Sequence, residues 1–179
     1  ELINKCQHAD ALLSMLSDQL NEDFFKACPH LKVIANYAVG VNNIDLKAAT
    51  RSHIPVGNTP DVLTEATSDL TLGLILSLVR NIFPAIKNAN QGEWKKWEPL
   101  GFLGMELKGK TLGIIGMGRI GQSVAKKVQN GFGMNVIYTS RSKAKKVEPN
   151  FKRHSLQELL KVSDIISIHT DLNSSTQNL

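Results

Sequence analysis

The chain has few of the residues that mark several protein classes. Aromatic residues make up 6% of its 179 residues, and its two cysteines, Cys6 and Cys28, lack the spacing of a metal site. We therefore expect no metal and two reduced cysteines that pack in the interior of a cytoplasmic protein. The longest apolar stretch, residues 70–79, contains polar residues and is too short to span a membrane, so we expect no membrane partner.

Acidic residues are almost missing from the stretch between Leu107 and Arg153. Eleven lysines and arginines stand there against one acid, Glu148. This bias favours a polyanionic ligand, although a solvated face would have the same composition. Since the chain shows no nucleic-acid motif and no basic patch interleaved with aromatic residues, we expect no nucleic-acid partner.

The most informative motif lies inside this basic stretch. A strand-like run, residues 112–115, leads into G-x-G-x-x-G, and a helix-like run, residues 120–128, follows at once. The three glycines permit a tight turn, a close approach of backbone to pyrophosphate, and close helix–strand packing. The helix start offers free N–H groups to the anion. We therefore predict a dinucleotide site, with a structural glycine turn as the alternative; its residues are Gly116, Met117, Gly118, Arg119, Ile120 and Gly121.

The second predicted strand, residues 135–139, has no acid at its end. A site for NAD would place Asp or Glu there, on the ribose 2′-hydroxyl. The chain instead reads Ser140, Arg141, Ser142, Lys143, two cations and two hydroxyls that suit a 2′-phosphate. We predict NADP rather than NAD; a basic loop that faces water is the alternative.

The first sixty residues alternate strand-like and helix-like segments, which implies a parallel sheet. Asn58-Thr59-Pro60 breaks this pattern, so we place a domain boundary there and expect domains over 1–60 and 61–179. The predicted strands are 11–15, 31–36 and 54–56, and the predicted helices are 22–27, capped by Asn21, and 46–51, capped by Asp45.

A long helix is predicted from near Val62 to Asn90, with a kink at Pro84. Its apolar positions recur at helical spacing, which favours a core face or an oligomer contact; they are Leu70, Leu74, Leu78 and Ile82. An irregular arm over 92–109 follows. Its two tryptophans, Trp94 and Trp97, indicate an interface, a lid or local packing.

The second half of the chain carries a second βαβ series. Ser155 and Glu158 form a capping-box pattern that predicts a helix over 156–161, and a third strand is predicted over 165–168. A complete dinucleotide fold has about six strands, whereas three are predicted here. We therefore expect a chain truncated at both ends, with both domains incomplete.

Four segments resemble one family beyond the glycines. They are the segments 38–45 (AVGVNNID), 58–70 (NTPDVLTEATSDL), 92–94 (GEW) and 167–170 (SIHT). On these segments the chain resembles the D-isomer-specific 2-hydroxyacid dehydrogenases, within them the glyoxylate/hydroxypyruvate reductases, over essentially its whole length.

The resemblance implies an α/β fold of two doubly wound parallel-sheet domains, a Rossmann-type cofactor domain and a smaller flavodoxin-like substrate domain, usually in a homodimer. It also implies NADPH-dependent reduction of a small 2-keto acid, glyoxylate or hydroxypyruvate, to the D-2-hydroxy acid. A non-catalytic NAD(P)-binding module, similar to the C-terminal-binding-protein co-repressors of the same family, is the alternative.

The resemblance also assigns residues. Val39 and Gly40 would face the substrate carboxylate through their backbone, and Thr67 would meet the nicotinamide end. His169 and Thr170 would border the cofactor, with Thr176 nearby.

The catalytic Arg, Glu and His of the family are expected beyond Leu179, so we predict no catalytic residue within the chain and no turnover by it alone. Arg and His would meet the negative charge that hydride transfer builds on the substrate oxygen. None of the five histidines here matches the family's catalytic one.

Overall fold

The computed structural model describes residues 1–141 and 147–179 and contains two compact units. One unit comprises residues 1–63 and 171–179, and the other comprises 64–170. Each unit has a parallel sheet with helices between its strands, which confirms the predicted α/β fold class.

The first unit has a three-stranded sheet in the order β1-β2-β3. The predicted helix caps are confirmed, because the side chains of Asn21 and Asp45 accept hydrogen bonds from the third helical N–H, at 3.0 and 2.9 Å. Its elements are α1 (Leu2–Cys6), β1 (Ala11–Ser14), α2 (Glu22–Ala27), β2 (Val33–Asn36), α3 (Leu46–Arg51) and β3 (Val56–Gly57).

Two features of this unit differ from the prediction. Helix α1 was not predicted. The third strand begins at Val56 rather than Ile54, because the N–H of Ile54 donates to the carbonyl of Ala49 and so holds residue 54 in the turn that follows α3. Ladder pairing with β2 therefore starts two residues later.

The core of the first unit lies on one face of its sheet, where Phe24, Phe25 and Ile34 are almost completely buried. Cys6 and Cys28 belong to this core as free thiols, and burial raises the pKa of both. Their placement confirms the predicted packing role. The burial of these side chains supplies the main favourable free energy of the unit's folding.

The second unit has a four-stranded sheet in the order β6-β5-β4-β7. Strand β4 lies inside the sheet and pairs with β5 on one side and β7 on the other. Its elements are α4 (Thr64–Val79), α5 (Ile82–Asn90), β4 (Thr111–Ile115), α6 (Arg119–Phe132), β5 (Asn135–Thr139), β6 (Lys152–Arg153), α7 (Leu156–Val162) and β7 (Ile165–Ile168). The capping box at Ser155 and Glu158 is confirmed, whereas the short strand β6 was not predicted.

Helices cover both faces of this sheet, as a doubly wound fold requires. Leu112 and Ile114 of β4 point to one face and pack in one cluster with residues of α4 and α6. Ile115 points to the other face and packs with Leu159 of α7. Gly113 also faces α7, and a Cβ atom there would lie 2.2 Å from Ser163 Oγ, so this glycine permits close packing of α7.

The prediction of one continuous helix from near Val62 to Asn90 is wrong. The segment forms two helices, α4 and α5, that are bent by 68° at Asn81, whose φ is +52°, and the bend is not at Pro84. Pro84 is tolerated because it is the third residue of α5, where its missing N–H would have no helical partner. The arm stabilises the break through two hydrogen bonds. Asn81 Nδ2 donates to the Leu103 carbonyl, and the Met105 N–H donates to the Val79 carbonyl.

Of the two interpretations of the apolar row of α4, a core face or an oligomer contact, the structure excludes the core face. Leu70, Leu74 and Leu78 are 63%, 56% and 72% exposed, because the helix packs on the sheet through another face that includes Ile75 and Val79. Within the described residues no single helix is long and apolar enough to cross a membrane, and α4 with α5 meets that standard by length and composition alone, as a bent pair.

A polar cluster joins α4 to α6, the helix that follows the glycine motif. Lys127 Nζ of α6 donates to Asp69, to Ser68 Oγ at 2.7 Å, and approaches Glu65 to 2.9 Å. Hydrogen bonds from Lys127 and Ser123 lower the pKa of Glu65. These contacts hold the start of α4 against the helix that the glycine turn begins.

Candidate functional site

The carboxyl ends of the strands in the second unit bring the predicted cofactor residues to one edge. Gly116 follows β4, Ser140 follows β5 and His169 follows β7. Because the chain leaves β4 towards β5 and later returns to its other side as β7, the end of β4 is a topological switch point. Ligands of open α/β sheets bind at such points.

The glycine turn has the geometry that the sequence predicts. Gly116 has a φ of +100°, and a Cβ atom there would lie 2.4 Å from the His169 carbonyl oxygen. A Cβ atom at Gly121 would lie 2.3 Å from the Gly116 oxygen, so this glycine lets α6 pack on the turn. Gly118 has open space around its Cα. Gly116 and Gly121 therefore permit close packing, and Gly118 leaves room for a ligand.

The start of α6 presents backbone donors at this turn. Gly118 is the N-cap and no side chain caps the helix. Such a helix start suits an anion. Met117 turns its side chain into the core, with 3% exposure, so only its backbone can serve a ligand. Arg119 is exposed and Ile120 half-buried on the first turn.

The rim beyond β5 carries cations. Ser140 is half-buried and Arg141 exposed, and Arg153 of β6 donates a hydrogen bond to the Ser140 carbonyl. Arg153 reaches this rim because β6 pairs with β5, a pairing that the sequence did not reveal. The two other predicted rim residues, Ser142 and Lys143, lie outside the described residues.

The backbone of His169 lies against the glycine turn. Its N–H donates to the Ile115 carbonyl at 2.7 Å, and the Thr170 Cγ2 atom would lie 3.0 Å from a Cβ atom at Gly116. The ring Nε2 is hydrogen-bonded to Ser167 Oγ at 2.8 Å. Burial lowers the pKa of His169, which keeps the ring neutral at neutral pH. A neutral imidazole with a hydroxyl partner is poorly suited to donate a proton to a substrate.

Two predicted cofactor residues lie on other elements. Thr67 is half-buried in the first turn of α4, and its carbonyl accepts a hydrogen bond from the Thr71 hydroxyl. Thr176 belongs to the first unit, where its hydroxyl donates to the Asp171 carbonyl. The structure thus brings Gly116, His169 and Thr170 together within the second unit.

The predicted substrate residues lie in an exposed loop of the first unit, after β2. Val39 is 38% exposed and Gly40 is also exposed. A Cβ atom at Gly40 would lie 3.1 Å from Asn42 Oδ1, so the loop is tight there. Two side chains that the sequence reasoning did not assign to the site hold this loop, Asn36 and Asn58. Asn58 is the first residue of the segment 58–70, but the sequence pattern of this segment does not predict a contact with a residue 19 positions earlier.

Comparison with known proteins places the chain among dehydrogenases. Residues 72–179 match the family model of the D-isomer specific 2-hydroxyacid dehydrogenase NAD binding domain. The chain is 45% identical over 184 aligned residues to a glyoxylate reductase of Thermococcus litoralis. The alignment covers 99% of this chain and 55% of that protein. The chain spans about half the length of the curated relatives that it matches.

Solved structures agree in fold. A crystal structure of a protein from Thermus thermophilus matches with a TM-score of 0.89 and 44% identity, over 98% of this chain and 55% of that one. A glyoxylate reductase from Paecilomyes thermophila matches with a TM-score of 0.86 and 31% identity, over 99% of this chain and 57% of that one.

Proposed function

Because the chain belongs to the D-isomer specific 2-hydroxyacid dehydrogenases, we propose that it forms the cofactor-binding and carboxylate-binding parts of a 2-keto acid reductase. The observation that carries this proposal is the glycine turn at the switch point of the second unit, with Gly118 open to a ligand. The likeness to glyoxylate reductases supports glyoxylate as a substrate. Hydroxypyruvate, in which a hydroxymethyl group replaces the aldehyde hydrogen of glyoxylate, is proposed as a second substrate from the family resemblance.

The proposed cofactor is NADP. The N–H groups from Met117 to Ile120, at the start of α6, would bind the diphosphate, because the Gly116 N–H already donates to the Thr139 carbonyl at 2.9 Å. Ser140 and Arg141 would bind the 2′-phosphate. Arg153 supports this rim by its hydrogen bond to Ser140. We assign the unit of residues 64–170 to the cofactor and the loop at Val39 and Gly40, in the other unit, to the substrate carboxylate. The predicted domain 61–179 differs from this unit at its end, because residues 171–179 group with the first unit.

When bound, the nicotinamide would supply a hydride, and negative charge would develop on the substrate oxygen. A cation and a proton donor must stabilise this charge. His169 is bonded to Ser167, and burial lowers its pKa, so it is a poor proton donor. Since the chain spans 55% of a glyoxylate reductase relative, we propose that the catalytic Arg, Glu and His that the family resemblance implies lie outside these 179 residues. The chain alone should bind NADPH without turnover.

The direct test is reduction of glyoxylate by the intact protein. With NADPH, absorbance at the nicotinamide band should fall in proportion to the glyoxylate added, and the product should be glycolate. The 179-residue chain serves as the control, since it should bind NADPH but show no turnover. Absence of turnover with every 2-keto acid, together with tight NADPH binding, would instead favour the non-catalytic module.

We also propose that the protein is a homodimer through the exposed apolar row of α4 and the arm. Leu70, Leu74 and Leu78 form this row, and the arm adds Trp94 and Trp97, which are 73% and 78% exposed and therefore not locally packed. Exposed large apolar side chains grouped in this way mark interaction sites. Sedimentation of the intact protein should give twice the mass of one subunit. The double variant Leu74→Glu, Leu78→Glu should sediment as a monomer. A wild-type monomer contradicts the proposal.

A further inference from the structure

Three successive carbonyl groups in the loop after β2 are held by donors of the same unit. The Ala38 carbonyl accepts from the Thr59 N–H at 2.9 Å. The Val39 carbonyl accepts from Asn58 Nδ2 at 2.8 Å, and the Gly40 carbonyl accepts from Asn36 Nδ2 at 2.9 Å. The loop therefore has its acceptors directed towards the protein.

These bonds determine where the N–H groups point. The described residues contain no cis peptide, and in a trans peptide the N–H lies opposite the carbonyl. The N–H groups of Val39, Gly40 and Val41 therefore point away from Thr59, Asn58 and Asn36. None of the three donates to another described residue. Three successive N–H groups that have no described acceptor and lie in an exposed loop are available as donors to an anion.

The donors differ in how firmly they are fixed. Asn36 is 1% exposed and belongs to a buried network, in which its carboxamide exchanges hydrogen bonds with Asn43 and accepts one from Ser14 Oγ at 2.9 Å. Its loss would leave buried polar groups unpaired and destabilise the unit. Asn58, in contrast, is exposed, and its bond to Val39 spans 19 residues. Asn58 can therefore be changed with little effect on the core.

We propose that Asn58 is a positioning residue for the substrate carboxylate. Its side chain holds the Val39–Gly40 peptide so that the Gly40 N–H faces outward, towards the anion. The inference rests on the proposed function for the identity of the anion, a 2-keto acid carboxylate, and Asn58 itself need not touch the substrate.

The test is Asn58→Leu, which keeps the size of the side chain but removes the donor. In the intact protein we expect the KM for glyoxylate to rise about tenfold, with kcat changed less than about twofold, as for the loss of one positioned hydrogen bond. The KM for methyl glyoxylate, which lacks the anion, should change less than about threefold. Asn58→Gln retains the amide donor and should recover most of the loss.

Asn4→Leu is the matched control, because Asn4 is an exposed asparagine on α1 of the same unit. It should leave both KM values and the Tm unchanged. An unchanged KM for glyoxylate in Asn58→Leu overturns the inference. An equal rise for both substrates, together with a lower Tm, also overturns it, since a general loss of structure would then explain the effect.

Failure of the proposed function can be told apart from failure of this inference. If the wild-type protein does not reduce glyoxylate, calorimetric titration of glyoxylate into the NADP⁺-loaded protein measures the anion site directly. Binding that Asn58→Leu weakens about tenfold supports the inference although reduction fails. A wild-type protein that neither reduces nor binds glyoxylate overturns both.

Discussion

Gly116→Ala is expected to abolish NADPH binding and to lower stability, whereas Gly118→Ala is expected to weaken binding alone. Alanine at Gly116 must adopt a φ of +100° and place its Cβ atom 2.4 Å from the His169 carbonyl oxygen. Strain of this kind costs about 1–3 kcal/mol, and relief requires the turn to move away from β7. NADPH affinity should therefore fall by at least about a hundredfold, with a lower free energy of unfolding.

Gly118 provides the contrast. Its φ of −78° and ψ of −163° suit any residue, and nothing lies within 4 Å of an added Cβ atom. The free energy of unfolding should therefore stay constant or rise by up to about 1 kcal/mol. The added methyl group would occupy the space that the diphosphate needs, so the Kd for NADPH should rise about tenfold or more.

Calorimetry with NADPH and urea unfolding measure the two effects. Gly131→Ala is the matched control, because Gly131 lies in the same helix α6 with open space around it. This variant should bind NADPH normally and gain about 0.5–1 kcal/mol of stability. If Gly118→Ala binds NADPH as tightly as the wild type, the diphosphate does not lie on this turn.

Arg141→Asp is expected to reverse the cofactor preference. A carboxylate at the end of β5 would repel the 2′-phosphate of NADPH and could accept hydrogen bonds from the ribose hydroxyls of NADH. The Kd for NADPH should rise about a hundredfold, while the Kd for NADH should stay constant or fall. Titration of both cofactors by nicotinamide fluorescence measures the ratio.

Lys108→Asp is the control for the general charge of the basic stretch. Lys108 is exposed and precedes β4, at the amino ends of the strands, whereas Arg141 lies beyond the carboxyl end of β5. The same change of charge there should alter both affinities by less than about threefold, because salt screens charges at that distance. Equal losses for the two variants, or unchanged affinities in Arg141→Asp, contradict a specific 2′-phosphate site.

Local patterns predicted the parts of the fold that local interactions determine. The caps at Asn21 and Asp45, the capping box at Ser155 and the strand–turn–helix order around Gly116 depend on residues close in sequence, and the structure contains all of them. The same holds for the parallel sheets, since alternating strands and helices leave few other arrangements.

Tertiary contacts determine the parts that the sequence did not reveal. The break at Asn81 depends on the arm, where Asn81 donates to Leu103, and proline alone was a misleading signal. Strand β6 has two residues and exists through its pairing with β5, so the position of Arg153 could not be foreseen. The contact of Asn58 with Val39 joins segments on two sides of α3 and has no pattern in the sequence.

The most direct test of the account is the crystal structure of the protein with saturating NADPH. We expect the diphosphate on the turn between Ile115 and Ile120, within hydrogen-bond distance of the N–H groups at the start of α6, and the 2′-phosphate beside Ser140 and Arg141. A turn without cofactor, or a cofactor bound elsewhere with this turn closed by side chains, would contradict it.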